Sequence, residues 1–133
     1  MSSPDQFPDG GWRNEKSLRT FDPPLAVEHL VYEVRADAYE LWRATEFEMW
    51  TKGEADRFPF FRGKETWLAE GREWFRVSIV IYWSSVESWH SIDHAWLDAQ
   101  EHEFARRVGP DNYRLVFAGH EQGPQYFKIS EYR

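Results

Sequence analysis

Residues 74–83 read Trp74-Phe75-Arg76-Val77-Ser78-Ile79-Val80-Ile81-Tyr82-Trp83. Phe75, Val77, Ile79, Ile81 and Trp83 alternate with Trp74, Arg76, Ser78, Val80 and Tyr82. A period of two places successive side chains on opposite faces of a strand. The β-branched and aromatic content agrees with that reading. Lys64 to Ala69 reads as a second strand, and Glu70-Gly71-Arg72 as the turn between them, so the middle of the chain is a hairpin.

On the N-terminal side, Ala26 to Val34 is a further strand. Val27, His29 and Val31 point one way, and Leu30, Tyr32 and Val34 the other. Apolar residues on both faces mean that both faces are covered. Asp37 is expected to cap a helix running to about Thr51, with Ala38, Leu41, Trp42, Thr45 and Met49 as its core stripe. Glu48 lies at the edge of that stripe, and Phe47 and Trp50 lie off it. Lys52 to Gly63 reads as a loop around Phe58-Pro59-Phe60-Phe61. Residues 1–24 lack periodicity and are rich in Pro, Gly, Ser and Asp, so they are expected to form a flexible arm. Phe7, Trp12 and Phe21 are its candidate docking residues.

On the C-terminal side, Ser84 and Glu87 stand at capping-box spacing and open a helical region that ends near Val108, ahead of Gly109-Pro110. A break is expected near Ile92-Asp93, with Asp93 capping a second helix from His94. Tyr113 to Ala118 and Tyr126 to Tyr132 read as strands. The order predicts one α+β domain over residues 25–133, ferredoxin-like β-α-β-β-α-β, with a four-stranded antiparallel sheet and helices on one face. A single helical layer leaves the other apolar sheet face open, which predicts a homodimer.

Composition narrows the function classes. The net charge of −7 and the absence of a basic patch argue against a phosphate-backbone partner, so no nucleic acid is expected. No apolar run approaches the ~20 residues of a membrane helix. Cys is absent, so disulfides and thiolate metal sites are excluded. The first residues show neither a basic n-region nor an apolar h-region, and the expected setting is cytoplasmic. Aromatic residues make up 18% of the chain, with 8 Trp. That is enough to build both a core and an aromatic-lined small-molecule cavity.

The stretches Val27-Glu28-His29-Leu30, Glu48-Met49-Trp50-Thr51 and Phe61-Arg62-Gly63-Lys64-Glu65-Thr66-Trp67-Leu68 carry a resemblance, continued by Tyr82-Trp83-Ser84-Ser85, Glu87, Trp89 and Leu97-Asp98. With them the chain resembles the dimeric α/β-barrel superfamily, antibiotic-biosynthesis-monooxygenase type. More narrowly, it is similar to a small uncharacterised family within it, met mainly in cyanobacteria. The resemblance covers Val27 to the C-terminus. It implies the fold and the dimer, but not a reaction, because the superfamily holds cofactor-free oxygenases, isomerases, cyclases and haem-handling proteins. It also implies a cavity between sheet and helices, faced by a His of the first strand and a His or acid of the later helix.

Four constellations could carry chemistry. His29 and His94, with Asp93 or Tyr82 assisting, could abstract a proton next to a carbonyl or from a phenol, since a His titrates near working pH. The competing reading makes His29 a hydrogen-bonded core histidine and His94 a solvated edge residue. His90, His94, Asp98 and His102 recur every four residues, and a His pair at that spacing can hold a metal. A solvated polar face is the favoured reading there, so no metal is expected. If one binds, His90, His94 and Asp98 are the ligands to examine, or His94 with a carboxylate such as Glu101 and His29 or His120. Glu48 could be an acid with a raised pKa, or a surface partner of Lys52. Tyr32, Trp50, Trp67, Trp83 and Trp89 are candidates to line a ligand site, with aromatic packing as the alternative.

The functional expectation is a small enzyme, independent of any cofactor, that acts on an aromatic or polycyclic molecule by acid–base chemistry of monooxygenase, isomerase or cyclase type. The alternative is a non-catalytic dimer that binds a small molecule, haem or a metal in the same cavity.

Overall fold

The computed structural model describes residues 16–133, so Phe7 and Trp12 lie outside the described residues. Strand β1 (Leu18–Arg35) is followed by helix α1 (Tyr39–Glu46), a π-helical segment (Phe47–Thr51) and helix α2 (Lys52–Arg57). The hairpin comes next, β2 (Phe61–Ala69) and β3 (Trp74–Trp83), then α3 (Val86–His90) and α4 (His94–Val108). Strand β4 (Tyr113–Ala118), the short helix α5 (Gly119–Gln122) and β5 (Phe127–Tyr132) complete the chain. The order β2-β3-β1-β4, antiparallel throughout, is the ferredoxin-like arrangement. The sheet is open within the chain.

The strand read at Tyr126 to Tyr132 joins the sheet as a fifth among the described residues, because β5 pairs with the N-terminal half of β1 through Leu18↔Tyr132 and Ala26↔Phe127. Three expectations need correction. Residues 18–24 therefore belong to β1, not to an arm. Pro23 and Pro24 cannot donate a ladder hydrogen bond, and the register shifts between Thr20 and Leu25 around them. Their Pro-rich composition hid the strand. Asp37 does not cap α1; it lies in a 3₁₀ turn (Ala36–Ala38) without a side-chain cap. The helix does not stop at Thr51 but continues to Arg57, supported by the Lys52–Asp56 pair at i,i+4.

Within the second helical region the break falls where Asp93 predicts it. Its carboxylate accepts from Ala95 N at 3.1 Å and starts α4. The cap of α3 is Ser85, one residue later than expected, accepting from Ser88 N at 3.0 Å. Gly109 closes α4 at φ 95°, a conformation that costs glycine least.

The core lies on one side of the sheet. Ala26 and Val34 of β1 and Val77, Ile79, Ile81 and Trp83 of β3 meet Trp42, Met49, Trp89, Ile92, Phe104 and Val108 from the helical layer. Leu41, expected in the stripe of α1, is half exposed instead. The other face carries Val27, His29 and Val31 of β1, with Ser78, Val80 and Tyr82 opposite them on β3. No helix among the described residues is long and apolar enough to cross a membrane.

Candidate functional site

Alternation along β1 sends Ala26, Glu28, Leu30, Tyr32 and Val34 to the helical side. Glu28 thus interrupts an otherwise uncharged row. Ile81 is its partner on β3, and Lys64 is the partner of Ile81 on β2. The inner sheet face therefore carries an acid and a base on either side of one isoleucine.

The helix above supplies Trp42, Glu46, Trp50 and Glu54, each four residues after the last. In a regular α-helix four residues overshoot one 3.6-residue turn, so such a row drifts by about 40° per step. The wider π turn at Phe47–Thr51 reverses part of that drift, and all four residues face one cavity. Gln100 Nε2 of α4 donates to the Met49 carbonyl at 2.8 Å and ties this turn to the neighbouring helix.

The cavity holds about 600 Å³. Its floor is Glu28, Leu30, Tyr32, Lys64, Ile79 and Ile81, and Trp42, Trp50 and Trp89 form walls. Exposed residues make up its rim: His90, His94, Glu101, Leu115, His120 and Glu121. A cavity of this size, apolar with a few convergent polar groups, is typical of small-molecule sites.

The charged groups inside are unevenly partnered. Lys64 is paired with Glu46, and both side chains are buried. Thr51 Oγ1 donates to the two Glu46 oxygens at 3.1 Å. Trp83 Nε1 donates to Glu28 Oε1 at 3.0 Å. Burial nevertheless pushes the Glu28 carboxyl up to about 7, with the Trp83 hydrogen bond and the Lys64 charge pulling the other way. Glu54 is 5% exposed and has no hydrogen-bond donor among the described residues. Burial, then the Glu28 charge, push it up to about 8 against the pull of Lys64. Burial and then Glu101 raise the Tyr32 phenol above its ordinary value.

Of the residues singled out from sequence, the fold brings Tyr32, Trp50, Trp89, His90 and His94 together around this cavity. Trp83 lies behind it, fully buried, and acts through Glu28. His29 does not join them. It faces the opposite side of the sheet, where Nε2 lies 2.8 Å from Ser78 Oγ and the ring meets Phe117 edge-on. The pairing of His29 with His94 is therefore corrected by strand alternation itself. Tyr82 shares that outer face, with the Lys128 ammonium 4.3 Å over its ring, and Trp67 lies there half exposed. Asp93 is engaged as the α4 cap.

Glu48 is exposed and outside the cavity, and Lys52 pairs with Asp56 rather than with it. His90 ends α3 and His94 begins α4, so the four-residue spacing spans a helix break and does not stack the two. Asp98 and His102 are exposed, away from the cavity. Among the described residues no group of three His, Asp or Glu is placed to hold a metal ion.

Sequence reasoning passed over Glu28, Glu46, Glu54 and Lys64. Two signals were available: a carboxylate on the apolar face of a strand, and the Trp-Glu-Trp-Glu row spaced by four. The row was cut short when the helix was ended at Thr51.

No family model matches the chain, and no curated protein does. Some solved structures are distantly similar to it. One is a dimeric ferredoxin-like protein from an uncultured marine organism, 14% identical over 80% of this chain and 90% of that one, with a TM-score of 0.46. Another is a proposed antibiotic biosynthesis monooxygenase from Bacillus cereus, 16% identical over 83% and 90%, with a TM-score of 0.43. A third is the C-terminal domain of the MgtC protein from Mycobacterium tuberculosis, 13% identical over 85% and 90%, with a TM-score of 0.39. The strand order and the cavity of the chain itself define its class, a ferredoxin-like α+β domain with an acid-lined cavity between sheet and helices. The narrower cyanobacterial resemblance gains no support from these comparisons.

Proposed function

We propose that the chain binds an aromatic organic molecule in this cavity and acts on it by acid–base chemistry without a cofactor, with Glu28 as the group that moves the proton. The observation that carries the reading is Glu28 itself. It is a carboxyl on a rigid central strand, oriented by Trp83 and desolvated until it titrates near neutral pH. A base poised near the working pH transfers protons most effectively. The ionised carboxylate would take a proton from a carbon next to a carbonyl or from a phenol, leaving an anion delocalised over the substrate. The Lys64 ammonium, close enough to act on the Glu28 charge, would stabilise that anion. His94, at the rim, would exchange the proton with solvent. Such an anion is the common first intermediate of oxygenation, isomerisation and cyclisation.

This assigns the base to Glu28 in place of His29, whose ring faces the other side of the sheet. The half-buried apolar outer face, with Val27 and Val80 beside an exposed Trp67, supports a homodimer built on it. The acidic, Cys-free composition fits a cytoplasmic setting. A second reading, a carrier with no turnover, uses the same cavity and differs only in whether Glu28 exchanges protons with the ligand.

The test is exchange of the acidic protons of β-tetralone in D₂O, followed by NMR, with binding read from tryptophan fluorescence. The expected result is catalysed exchange that rises with pH through about 7, where Glu28 becomes a base. Glu28→Gln should lower it by about 100-fold or more with binding retained. Equal exchange in the variant would sink the acid–base role. Binding without exchange in the native chain would establish the carrier.

A further inference from the structure

The cavity holds more acid than its own bases can answer. Among the described residues five carboxyl groups line it, Glu28, Glu46, Glu54, Glu101 and Glu121, against the single ammonium of Lys64. That ammonium is committed to Glu46. Glu28 has the Trp83 indole, Glu101 accepts from the Tyr113 hydroxyl at 2.8 Å, and Glu121 lies 3.8 Å from His120 Nε2. Glu54 is left over: 95% buried, on the cavity wall, with no donor of its own among the described residues. A carboxyl that faces a cavity with no protein donor on it is open to a donor from a ligand.

We propose that the ligand carries a positively charged nitrogen, an alkylammonium on an aromatic body, with the nitrogen seated against Glu54. This rests on the cavity reading above and names the substrate class for it. An ammonium brings donors that Glu54 lacks and a charge that answers the carboxyl surplus. Trp42, Trp50 and Trp89 line the same cavity, and indoles attract cations and stack on rings, which suits both halves of such a ligand. A ligand carboxylate seated at Glu54 would instead meet further carboxyls there, with Lys64 already paired to Glu46.

Proton accounting gives a distinctive signature. In the empty cavity at neutral pH Glu54 carries its proton. When the ammonium docks, Glu54 ionises, its proton leaves to buffer and the ligand keeps its own. The groups facing Glu54 are Glu28 and Tyr32 from β1, Lys64 from β2 and Glu46 from α1, with His90, His94 and His120 further out at the rim. Affinity for the amine should therefore tighten as pH rises through about 8.

The experiment is calorimetric titration of the full chain with tryptamine, tryptophol and indoleacetate, in two buffers of different ionisation enthalpy. Tryptamine should bind about tenfold or more tightly than tryptophol. Indoleacetate should bind most weakly, and tryptamine alone should release close to one proton at neutral pH. Glu54→Gln should bring tryptamine to the level of tryptophol and leave tryptophol unchanged. If that variant fails to fold, proton release by the native chain decides the matter. Tryptophol binding as well as tryptamine, or tryptamine binding without proton release, overturns the cation assignment and leaves the cavity reading intact. No binding by the three indoles alongside binding of β-tetralone overturns it in the same way. If β-tetralone also fails to bind, both readings fall.

Discussion

The two faces of β1 make opposite use of a titratable residue. On the inner face Glu28 has a helical layer above it, one indole donor, and a carboxyl held far from its ordinary range. On the outer face, one residue further on, His29 bonds to Ser78 and packs on Phe117. A histidine is the more familiar catalytic base, yet the glutamate holds the place where a ligand can be reached. Residue type proposes a role, and what lies across the strand decides it.

The largest effect that would sharpen this contrast should come from Lys64, the inner face's single cation. Lys64→Met leaves Glu46 buried without its ion-pair partner and removes the charge that restrains Glu28 and Glu54. Chemical denaturation should show a loss of about 3–5 kcal/mol at neutral pH, shrinking in acid as the carboxyls protonate. A loss that does not vary with pH would mean that the lysine only fills space.

Glu54→Gln should have a smaller effect of the opposite sign. The Glu54 pKa is higher in the fold, about 8 against 4.5, so folding favours its protonated form. Its contribution is complete below about 4.5 and is lost as pH rises through 8. Removing the charge should therefore stabilise the protein at pH 9 by a few kcal/mol and do little at pH 4. Thermal unfolding at the two pH values checks the sign.

The outer face makes a different demand. Sedimentation should find a dimer at micromolar concentration, and a charge at the exposed Trp67 of this face, as Trp67→Glu, should shift it toward monomer. A native chain that stays monomeric would break the idea that this face is covered by a second copy. The smallest effect belongs to His29→Ala. It should cost about 1 kcal/mol, the worth of one side-chain hydrogen bond with its packing, and leave β-tetralone exchange unchanged. Lost exchange in a folded variant would return the base to His29.

Much of the fold was legible because alternation in Trp74–Trp83 and Ala26–Val34 is strong and both strands are central. Asp93 was readable as a cap because its carboxylate precedes a helical run directly. The early residues of β1 were not readable, since their pairing depends on β5, more than a hundred positions away, and their prolines resemble a linker. The site was only half legible. Tyr32 follows from strand alternation, His94 from its spacing, and Trp50 and Trp89 are candidates as aromatics, but the acid cluster depends on a helix that runs past Thr51 and on a turn of unusual width. Charged residues read as solvent-facing until the layer that encloses them is known.

That wide turn has a consequence for how the chain tolerates change in length. It acts as a phase adjuster, a local slack in the helical screw that sets the angle of everything after it. Losing one residue between Phe47 and Thr51 would let the screw tighten to a regular pitch, which offsets most of the shift, whereas losing one between Thr51 and Glu54 would swing Glu54 through about 100° with no slack to absorb it. Every side chain of the site would still be present in the sequence, yet the acid would look out at solvent. In this protein the spacing between two glutamates is as much a part of the chemistry as the glutamates are.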